Sequence, residues 1–251
     1  MESLSRLVEL TKRLRRECPW DREQTHQSLG VHLIEESYEV VDAIDGGRTD
    51  RLRDELGDLL LQVLFHANIA EERGAFRLSD VAETLSAKLI ARHPHVFGDA
   101  AVSGADQVKE NWEKLKMREG RESVLEGLPG NLPALLHAKR VQEKASSAGF
   151  DWERGEDVWN KVVEETEELR REVAENDPGG IREEFGDLLF AMVNYARFLK
   201  VDPEESLRHA VRKFKKRFAY IEAALTAGGR RPGDATPAEM DALWNESKNA
   251  P

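Results

Sequence analysis

Five acidic residues at a fixed spacing occur twice in this sequence. Glu164, Glu165 and Glu168 are followed, sixteen residues after Glu168, by Glu184 and Asp187. The same pattern appears earlier in the chain, displaced by 129 positions at every acid, as Glu35, Glu36, Glu39, Glu55 and Asp58. A chance acidic run would not repeat in register, together with the glycine that precedes each aspartate. The pattern therefore indicates an internal duplication.

The spacing of these acids suits a divalent cation. On a helix, residues three apart are neighbours, so Glu165 with Glu168, and Glu184 with Asp187, form two carboxylate pairs on consecutive helices. If the helices pack face to face, four carboxylates converge and repel one another unless a cation compensates their charge. The donors are all oxygen, which favours Mg²⁺ or Mn²⁺ over zinc. The motifs contain no histidine, which speaks against a ferritin-like di-iron bundle.

The second copy also has cationic and amide side chains nearby. A magnesium site with few protein ligands usually completes its shell with phosphate oxygens. Lys161 lies one turn before Glu165, and Lys213 and Arg217 share one face of a later predicted helix. Asn194 lies two turns beyond the second acidic pair, where an amide would suit the edge of a sugar or a base.

These residues must be positioned by helices, because apolar residues recur at helical spacing and strand signals are scarce. An amphipathic helix opens the chain, and further helices are predicted at about 31–44, 49–72, 79–92, 106–119, 135–146, 157–175, 181–199, 203–225 and 237–245. Thr49 or Asp50 is expected to cap one helix, and Asp202 another. Residues 178–180 are expected to end a helix. The two helices that carry the Glu-x-x-Asp pairs are apolar almost all round, which predicts that they are buried.

Composition narrows the class of protein. The chain has 251 residues, 40% apolar and 34% charged, which is typical of a helix-rich globular protein. Its net charge of −11 argues against DNA or RNA as a partner. The single cysteine, Cys18, favours a reducing cytoplasm. No apolar run approaches the ~20 residues of a membrane helix, and we expect no signal peptide because the opening segment is charged and amphipathic.

Several further segments, together with both acidic motifs, carry a resemblance to a known family. They are Cys18–Asp21, Gln24–His26, His93–Gly98, Leu132–Leu135, Gly149–Trp152, Asn194–Arg197 and Lys213–Phe218. Over essentially its whole length the chain resembles the MazG nucleoside triphosphate pyrophosphohydrolases in their two-domain bacterial form.

The resemblance implies an all-α fold of two tandem MazG-type helical bundles, at residues 1–122 and 123–251, whose sites are completed in a homodimer. It implies an Mg²⁺-dependent reaction in which an NTP and water give NMP and pyrophosphate. It also implies a housekeeping role in the nucleotide pool. It implies these metal ligands: Glu165, Glu168, Glu184 and Asp187, matched in the first copy by Glu36, Glu39, Glu55 and Asp58.

The chemistry of this reaction suggests roles for the neighbouring residues. Lys161, Lys213 and Arg217 would stabilise charge on the phosphate oxygens. Glu164 would orient the attacking water or hold a second metal. Trp152 and Trp244 are candidates to stack on the base, although each is also suited to plain core packing.

The two copies differ around their acids. Phe65 occupies the register position of Asn194, and His32 that of the lysine before the second motif. Lys88 and Arg92 keep a lysine–arginine pair as candidate substrate-binding residues. We hypothesise that the first copy binds metal but recognises the nucleotide poorly or differently, and that the second copy is the main catalytic unit.

Three alternatives remain at the level of sequence. The first is a pyrophosphohydrolase restricted to one nucleotide, such as dUTP, dCTP or phosphoribosyl-ATP. The second is a metal-stabilised helical scaffold or regulator, which would show metal-dependent melting without turnover. The third is a di-metal redox bundle, which the missing histidines disfavour and which iron binding and colour would reveal.

Overall fold

The computed structural model of the chain describes residues 2–104, 107–108, 111–112 and 123–248. Backbone contacts divide the chain into two compact units, Met1–Ser103 and Gly104–Pro251, called here the N-terminal and C-terminal units. Most of the predicted helix 106–119 lies outside the described residues, and so does residue 122 at the predicted domain boundary. That boundary stays a prediction.

The described part of the N-terminal unit is helical. Its elements are α1 (Glu2–Glu17), α2 (Pro19–Glu23), α3 (His26–Asp45), α4 (Thr49–Glu72), α5 (Leu78–Arg92) and α6 (Pro94–Phe97). Helices α3 and α4 form the main packed pair, and α1 packs against α4. Leu29, Phe65 and Ile69 form the buried cluster between them. Arg15 of α1 reinforces this packing with two hydrogen bonds to Glu72 at the end of α4, at 2.6 and 3.0 Å.

The C-terminal unit has the same plan. Its elements are α7 (Ala134–Ser147), α8 (Gly155–Glu175), α9 (Pro178–Phe198), α10 (Pro203–Ala227), a short 3-10 helix (Pro232–Asp234) and α11 (Pro237–Ser247). Helices α8 and α9 form the main packed pair, α7 covers α9, and α10 packs chiefly against α11. Across the described residues every regular element is a helix, so the predicted all-α class is confirmed.

Three predicted helix boundaries are wrong, each for a local reason. Helix α3 begins at His26 rather than near residue 31, because Thr25 and Ser28 cap it reciprocally. Helix α4 begins at Thr49 itself, with Arg48 at the cap position and no side-chain cap, so neither Thr49 nor Asp50 is the cap. Residues 178–180 begin α9 instead of ending α8, because proline suits the first turn of a helix.

The prediction that α4 and α9 are buried all round is also wrong within the single chain. Phe185, Leu189 and Met192 form one face of α9 and are 53%, 45% and 45% exposed. The residues 129 positions earlier, Leu56, Leu60 and Val63 of α4, are 48%, 36% and 40% exposed. The duplication therefore extends to an exposed apolar face, called here the duplicated face. No described helix is both long and apolar enough to cross a membrane.

Candidate functional site

Helices α8 and α9 bring the acids of the second motif together. Glu165, Glu184 and Asp187 place carboxylate oxygens within 4.8 Å of one another, and so do Glu164, Glu165 and Glu168. Glu165 belongs to both groups and is only 5% exposed. The structure therefore gathers all four predicted metal ligands around one buried carboxylate.

The electrostatics of this cluster show an excess of negative charge. Partial burial raises the pKa of Glu184, and the charges of Glu168, Glu165 and Asp187 raise it further. Lys161 supplies part of the compensation, with its Nζ 2.7 Å from Glu164 and 2.6 Å from Glu165. These hydrogen bonds raise the pKa of Lys161 above its usual value, so the ammonium stays charged.

The donor set fits a hard divalent cation. Every candidate ligand atom in the cluster is a carboxylate oxygen, which is what Mg²⁺ and Mn²⁺ prefer. A cation would also relieve the repulsion that raises the pKa of Glu184. The chemistry of the donors does not distinguish between these two metals.

A cleft of about 740 Å³ lies beside the cluster, within the C-terminal unit. It is lined by Val141, Gln142, Ala145, Phe150, Asp151, Trp152, Lys161, Glu165, Asp187, Phe190, Ala191, Asn194 and Arg197. Lys161, Glu165 and Asp187 of the acid cluster share this cleft with Asn194 and Arg197, which lie two to three turns beyond Asp187 along α9. Trp152 and Asn194, both predicted to bind substrate, are therefore in the same cleft as Lys161.

A hydrogen-bonded network fixes the amide end of the cleft. Arg197 donates to Asn194 Oδ1 at 2.9 and 3.2 Å and makes a two-pronged ion pair with Asp151. Asp151 also accepts from Ser146 Oγ at 2.6 Å and from the Trp152 backbone N–H at 2.9 Å. Burial alone would raise the pKa of Asp151, but hydrogen bonds from Arg197 and Ser146 outweigh it and lower the pKa.

Sequence reasoning missed Gln142, Asp151 and Arg197. Arg197 lies three residues after Asn194, so the neighbour rule for helices offered a signal for that pair. Asp151 belongs to a segment noted only for its resemblance. Gln142 gave no signal, because nothing in its local sequence separates it from a surface glutamine.

Three predicted residues lie away from this cleft. Lys213 is exposed on α10, and Arg217 stacks on Trp244 of α11, with its guanidinium 5.3 Å from the ring centre. Phe214 contacts the same tryptophan at 5.2 Å between ring centres. None of Lys213, Arg217 and Trp244 lines the cleft. Their roles stay predictions.

The first copy assembles a similar but not identical cluster. Glu36, Glu55 and Asp58 place oxygens within 4.8 Å of one another. Interaction with Glu55 raises the pKa of the fourth acid, Glu39. Arg51 pairs with Glu55 at 2.8 Å.

In the first copy, a residue of the apolar core occupies the position that corresponds to Asn194. Phe65, at the register position of Asn194, is 5% exposed and packs with Leu29 and Ile69. Lys88 is exposed on α5, and Arg92 is half-buried at the end of the same helix. Their roles as substrate-binding residues stay predictions.

Comparison with known proteins found a match in each of the two units. The family model described as the MazG nucleotide pyrophosphohydrolase domain matches residues 24–97 and again residues 154–220. The chain belongs to the MazG family. Each match contains one acidic motif, so the predicted tandem duplication of MazG domains is confirmed. Asn194, Arg197, Lys213 and Arg217 lie inside the second match, whereas Gln142, Asp151, Trp152 and Trp244 lie outside it.

Relatives in the MazG family cover nearly the whole chain. The Thermotoga maritima protein named nucleoside triphosphate pyrophosphohydrolase/pyrophosphatase MazG is 46% identical, over 96% of this chain and 94% of its own length. The Escherichia coli K12 nucleoside triphosphate pyrophosphohydrolase is 39% identical, over 99% of this chain and 98% of its own. The Mycolicibacterium smegmatis protein of the same name is 35% identical, over 96% of this chain and 65% of its own length.

Proposed function

We propose that the protein is a nucleoside triphosphate pyrophosphohydrolase, which hydrolyses the α–β phosphoanhydride of NTPs and dNTPs to NMP and pyrophosphate. The single observation that carries the proposal is the cleft of the C-terminal unit. It brings Lys161 and the clustered carboxylates together with aromatic and amide side chains. A nucleotide has the complementary arrangement, and the family and its named relatives point to the same reaction.

The residues of the cleft have distinct tasks in this reaction. Glu165, Glu168, Glu184 and Asp187 hold the cation, which we propose is Mg²⁺ and which polarises a phosphoryl oxygen when bound. Lys161 donates hydrogen bonds to phosphate oxygens and stabilises the charge that develops on them. Glu164, exposed beside the ligands, accepts a hydrogen bond from the attacking water and thereby orients it. Asn194, two turns beyond Asp187 and so about 10 Å along α9, lies at the base or sugar end.

We propose a homodimer as the active form, because the duplicated face presents half-exposed Phe185, Leu189 and Met192 beside the acids of α9. An exposed apolar patch of this kind marks an interface. A second copy packed there would offer its own Lys213 and Arg217, which do not line the cleft of their own chain. The net charge of −11 makes nucleic acid an unsuitable partner, and we place the protein in the cytoplasm because it has one cysteine.

We also propose that the C-terminal unit is the main catalytic unit. The N-terminal unit gathers carboxylates, but Phe65 replaces the amide and is packed in the core. His32, at the position of Lys161, pairs with Glu35 at 3.1 Å and is charged only when protonated. At the register positions of Lys161 and Asn194, the N-terminal unit therefore has neither a permanently charged side chain nor an amide.

The first test is pyrophosphate release from the eight common NTPs and dNTPs, with Mg²⁺ and with chelator. Glu168→Ala and Glu39→Ala form a matched pair, because the two acids are in register. Glu168→Ala should lower kcat/KM by at least roughly 100-fold, and Glu39→Ala should leave most activity. The opposite pattern would assign catalysis to the N-terminal unit. If metal raises the melting temperature but no nucleotide yields pyrophosphate, the result would instead support a metal-stabilised scaffold or regulator.

A further inference from the structure

Two histidines of the N-terminal unit share one hydrogen bond. Nδ1 of His26, the first residue of α3, lies 2.8 Å from Nδ1 of His66 on α4. The planes of the two rings differ by only 1°, and their centres are 5.1 Å apart. That separation matches the 2.8 Å contact extended by the radii of two five-membered rings. The rings therefore lie edge to edge in one plane, which is the geometry of a linear N–H···N hydrogen bond and not of face-to-face stacking.

The unpaired atoms beside this bond indicate which ring donates. His66 Nε2 and Gln62 Oε1 are both buried without a hydrogen-bond partner among the described residues, and Gln62 lies one turn earlier on α4. If His66 accepts at Nδ1, its hydrogen is on Nε2 and complements the carbonyl oxygen of Gln62. If His66 donated at Nδ1, two unpaired acceptors would lie on the same stretch of helix. The neutral pair therefore has His26 as the donor and His66 as the acceptor.

The pair lies beside the apolar core of the N-terminal unit. Leu29 lies three residues after His26 on α3. It forms a buried cluster with Phe65 and Ile69, which lie on either side of His66 along α4. A positive charge is costly there, because little water remains to solvate it. Burial accordingly lowers the pKa of His66, and the charge of His26 lowers it further.

Charged side chains of the neighbouring elements near the end of α4 are paired with one another. The ion pairs there are Arg15 with Glu72 at 2.6 Å, Lys12 with Glu71 at 3.1 Å and Arg77 with Glu71 at 3.9 Å. The charge of Asp21 in α2 is compensated by Arg15, which also donates to the Asp21 carbonyl oxygen. His26 is the titratable side chain in direct contact with His66.

We propose that the His26–His66 pair is a pH-sensitive latch that holds the start of α3 on α4 and opens in acid. The neutral pair takes up a first proton at His26 Nε2, which leaves the shared N–H in place and strengthens its hydrogen bond by charge. A second proton has to bind His66 Nδ1, the atom that accepts the shared hydrogen. The hydrogen bond is then lost, and two positive charges face each other beside the core. Opening frees the first turn of α3 from α4.

The C-terminal unit lacks this pair. Its residues at the two register positions, 129 further along the chain, are Gly155 and Tyr195. Tyr195 packs on Trp159 with ring centres 5.0 Å apart, so an aromatic contact takes the place of the imidazole bond. The start of α8 is therefore a control for the start of α3 within the same molecule.

Hydrogen exchange of the full-length protein tests the latch, with chelator present so that metal does not intervene. Amide exchange of residues 25–33 is compared with that of residues 154–162, their register counterparts, after correction for the intrinsic effect of pH on exchange. The latch is closed above the ordinary histidine pKa of about 6.5 and is lost as the pH falls through the lower pKa of folded His66. Between about pH 8 and about pH 5, protection of residues 25–33 should therefore fall by roughly tenfold or more, and that of residues 154–162 should not.

Proton NMR of the wild type observes the bond itself. The shared Nδ1–H should give a resonance at neutral pH and lose it over the pH range in which residues 25–33 lose protection. Equal protection of the two segments at every pH would overturn the latch.

His66→Asn separates the latch from general sensitivity to acid. The new side-chain oxygen lies near the position of Nδ1 and still accepts from His26, but it does not take up a proton. The variant should therefore keep the protection of residues 25–33 in acid. His209→Asn, which removes an exposed imidazole from α10, is the matched control and should lose that protection as the wild type does.

Loss of protection in acid by His66→Asn, to the same extent as in the wild type, would assign the effect to another group and overturn the latch. Thermal melting at neutral pH verifies that both variants fold. If His66→Asn does not fold, the comparison of the two segments and the NMR resonance in the wild type decide the question.

Discussion

At the residue scale, the acids of the two motifs share their spacing but differ in their counter-ions. Glu165 is paired with Lys161 from its own helix, at 2.6 Å. Glu55 is paired with Arg51, which likewise lies on its own helix, α4, at 2.8 Å. The lysine precedes the acids and faces the cleft, whereas the arginine lies among them. Identical carboxylate spacing therefore does not imply an identical site.

Glu184 makes the charge balance of the cluster testable. Its pKa is raised by burial and by neighbouring carboxylates, so the metal-free fold is more stable when Glu184 is protonated. That contribution is present below the unfolded pKa and is lost as the pH rises through the folded pKa. As the pH falls toward the ordinary glutamate pKa of about 4.3, the metal-free wild type should therefore gain stability relative to Glu184→Gln. Glu184→Gln should be more stable than wild type at neutral pH and lack this part of the pH dependence.

The response of the same variant to Mg²⁺ is a second test of Glu184. Mg²⁺ should raise the melting temperature of the wild type more than that of Glu184→Gln, because one ligand is weakened. Pyrophosphate release should fall by roughly 100-fold or more. Calorimetric melting with and without chelator measures both effects, and an equal gain from Mg²⁺ in the two proteins would remove Glu184 from the ligand set.

At the element scale, a side-chain cap decides where α10 begins. Asp202 caps α10 as predicted, since its side chain accepts from the Glu205 backbone N–H at 2.9 Å. Lys139 of α7 donates to the same carboxylate at 2.6 Å, a contact that the sequence did not indicate. A single side chain therefore both begins α10 and attaches it to α7.

Two substitutions at Asp202 separate these contributions. Asp202→Asn keeps a capping oxygen and loses the ion pair, whereas Asp202→Ala loses both. We expect Asp202→Ala to lower the free energy of unfolding by about 1–2 kcal/mol, and Asp202→Asn by clearly less. Urea denaturation measures the difference. Equal losses would mean that the ion pair, and not the cap, stabilises the start of α10.

At the scale of the whole molecule, the duplicated face is the observation on which the proposed homodimer rests. Leu56, Leu60 and Val63 in α4 repeat the exposure of their counterparts in α9. Packing against a second copy, as proposed, would remove this apolar area from water.

Phe185→Glu tests that interpretation. A charge placed on the duplicated face should raise the dissociation constant of the proposed homodimer by roughly 100-fold or more, and pyrophosphate release should fall with dimer content. Sedimentation equilibrium measures the association. Leu4→Glu, at a 53% exposed apolar residue of α1 outside the duplicated face, is the control and should leave it unchanged. A wild-type protein that is monomeric at micromolar concentration would contradict the proposal.

The sequence by itself determined the local and periodic features of this protein. Helix positions follow from apolar spacing, and the duplication and both carboxylate clusters follow from acids three apart on consecutive helices. These features depend on neighbours within one or two turns, so the sequence displays them directly. The errors of local prediction lie at helix ends, where Thr25 and Pro178 determine the start through capping and backbone geometry.

Only the tertiary structure decided which distant side chains share the cleft. Arg197 and Asp151 are 46 residues apart and Gln142 and Phe190 are 48 apart, and no periodicity links either pair. The packing of α7 on α9 brings Gln142 into the cleft, and the loop before α8 brings Asp151 to Arg197. The tertiary structure also showed that α4 and α9, which were expected to be buried, each keep an exposed face. The burial of a helix depends on what packs against it and not on its composition alone.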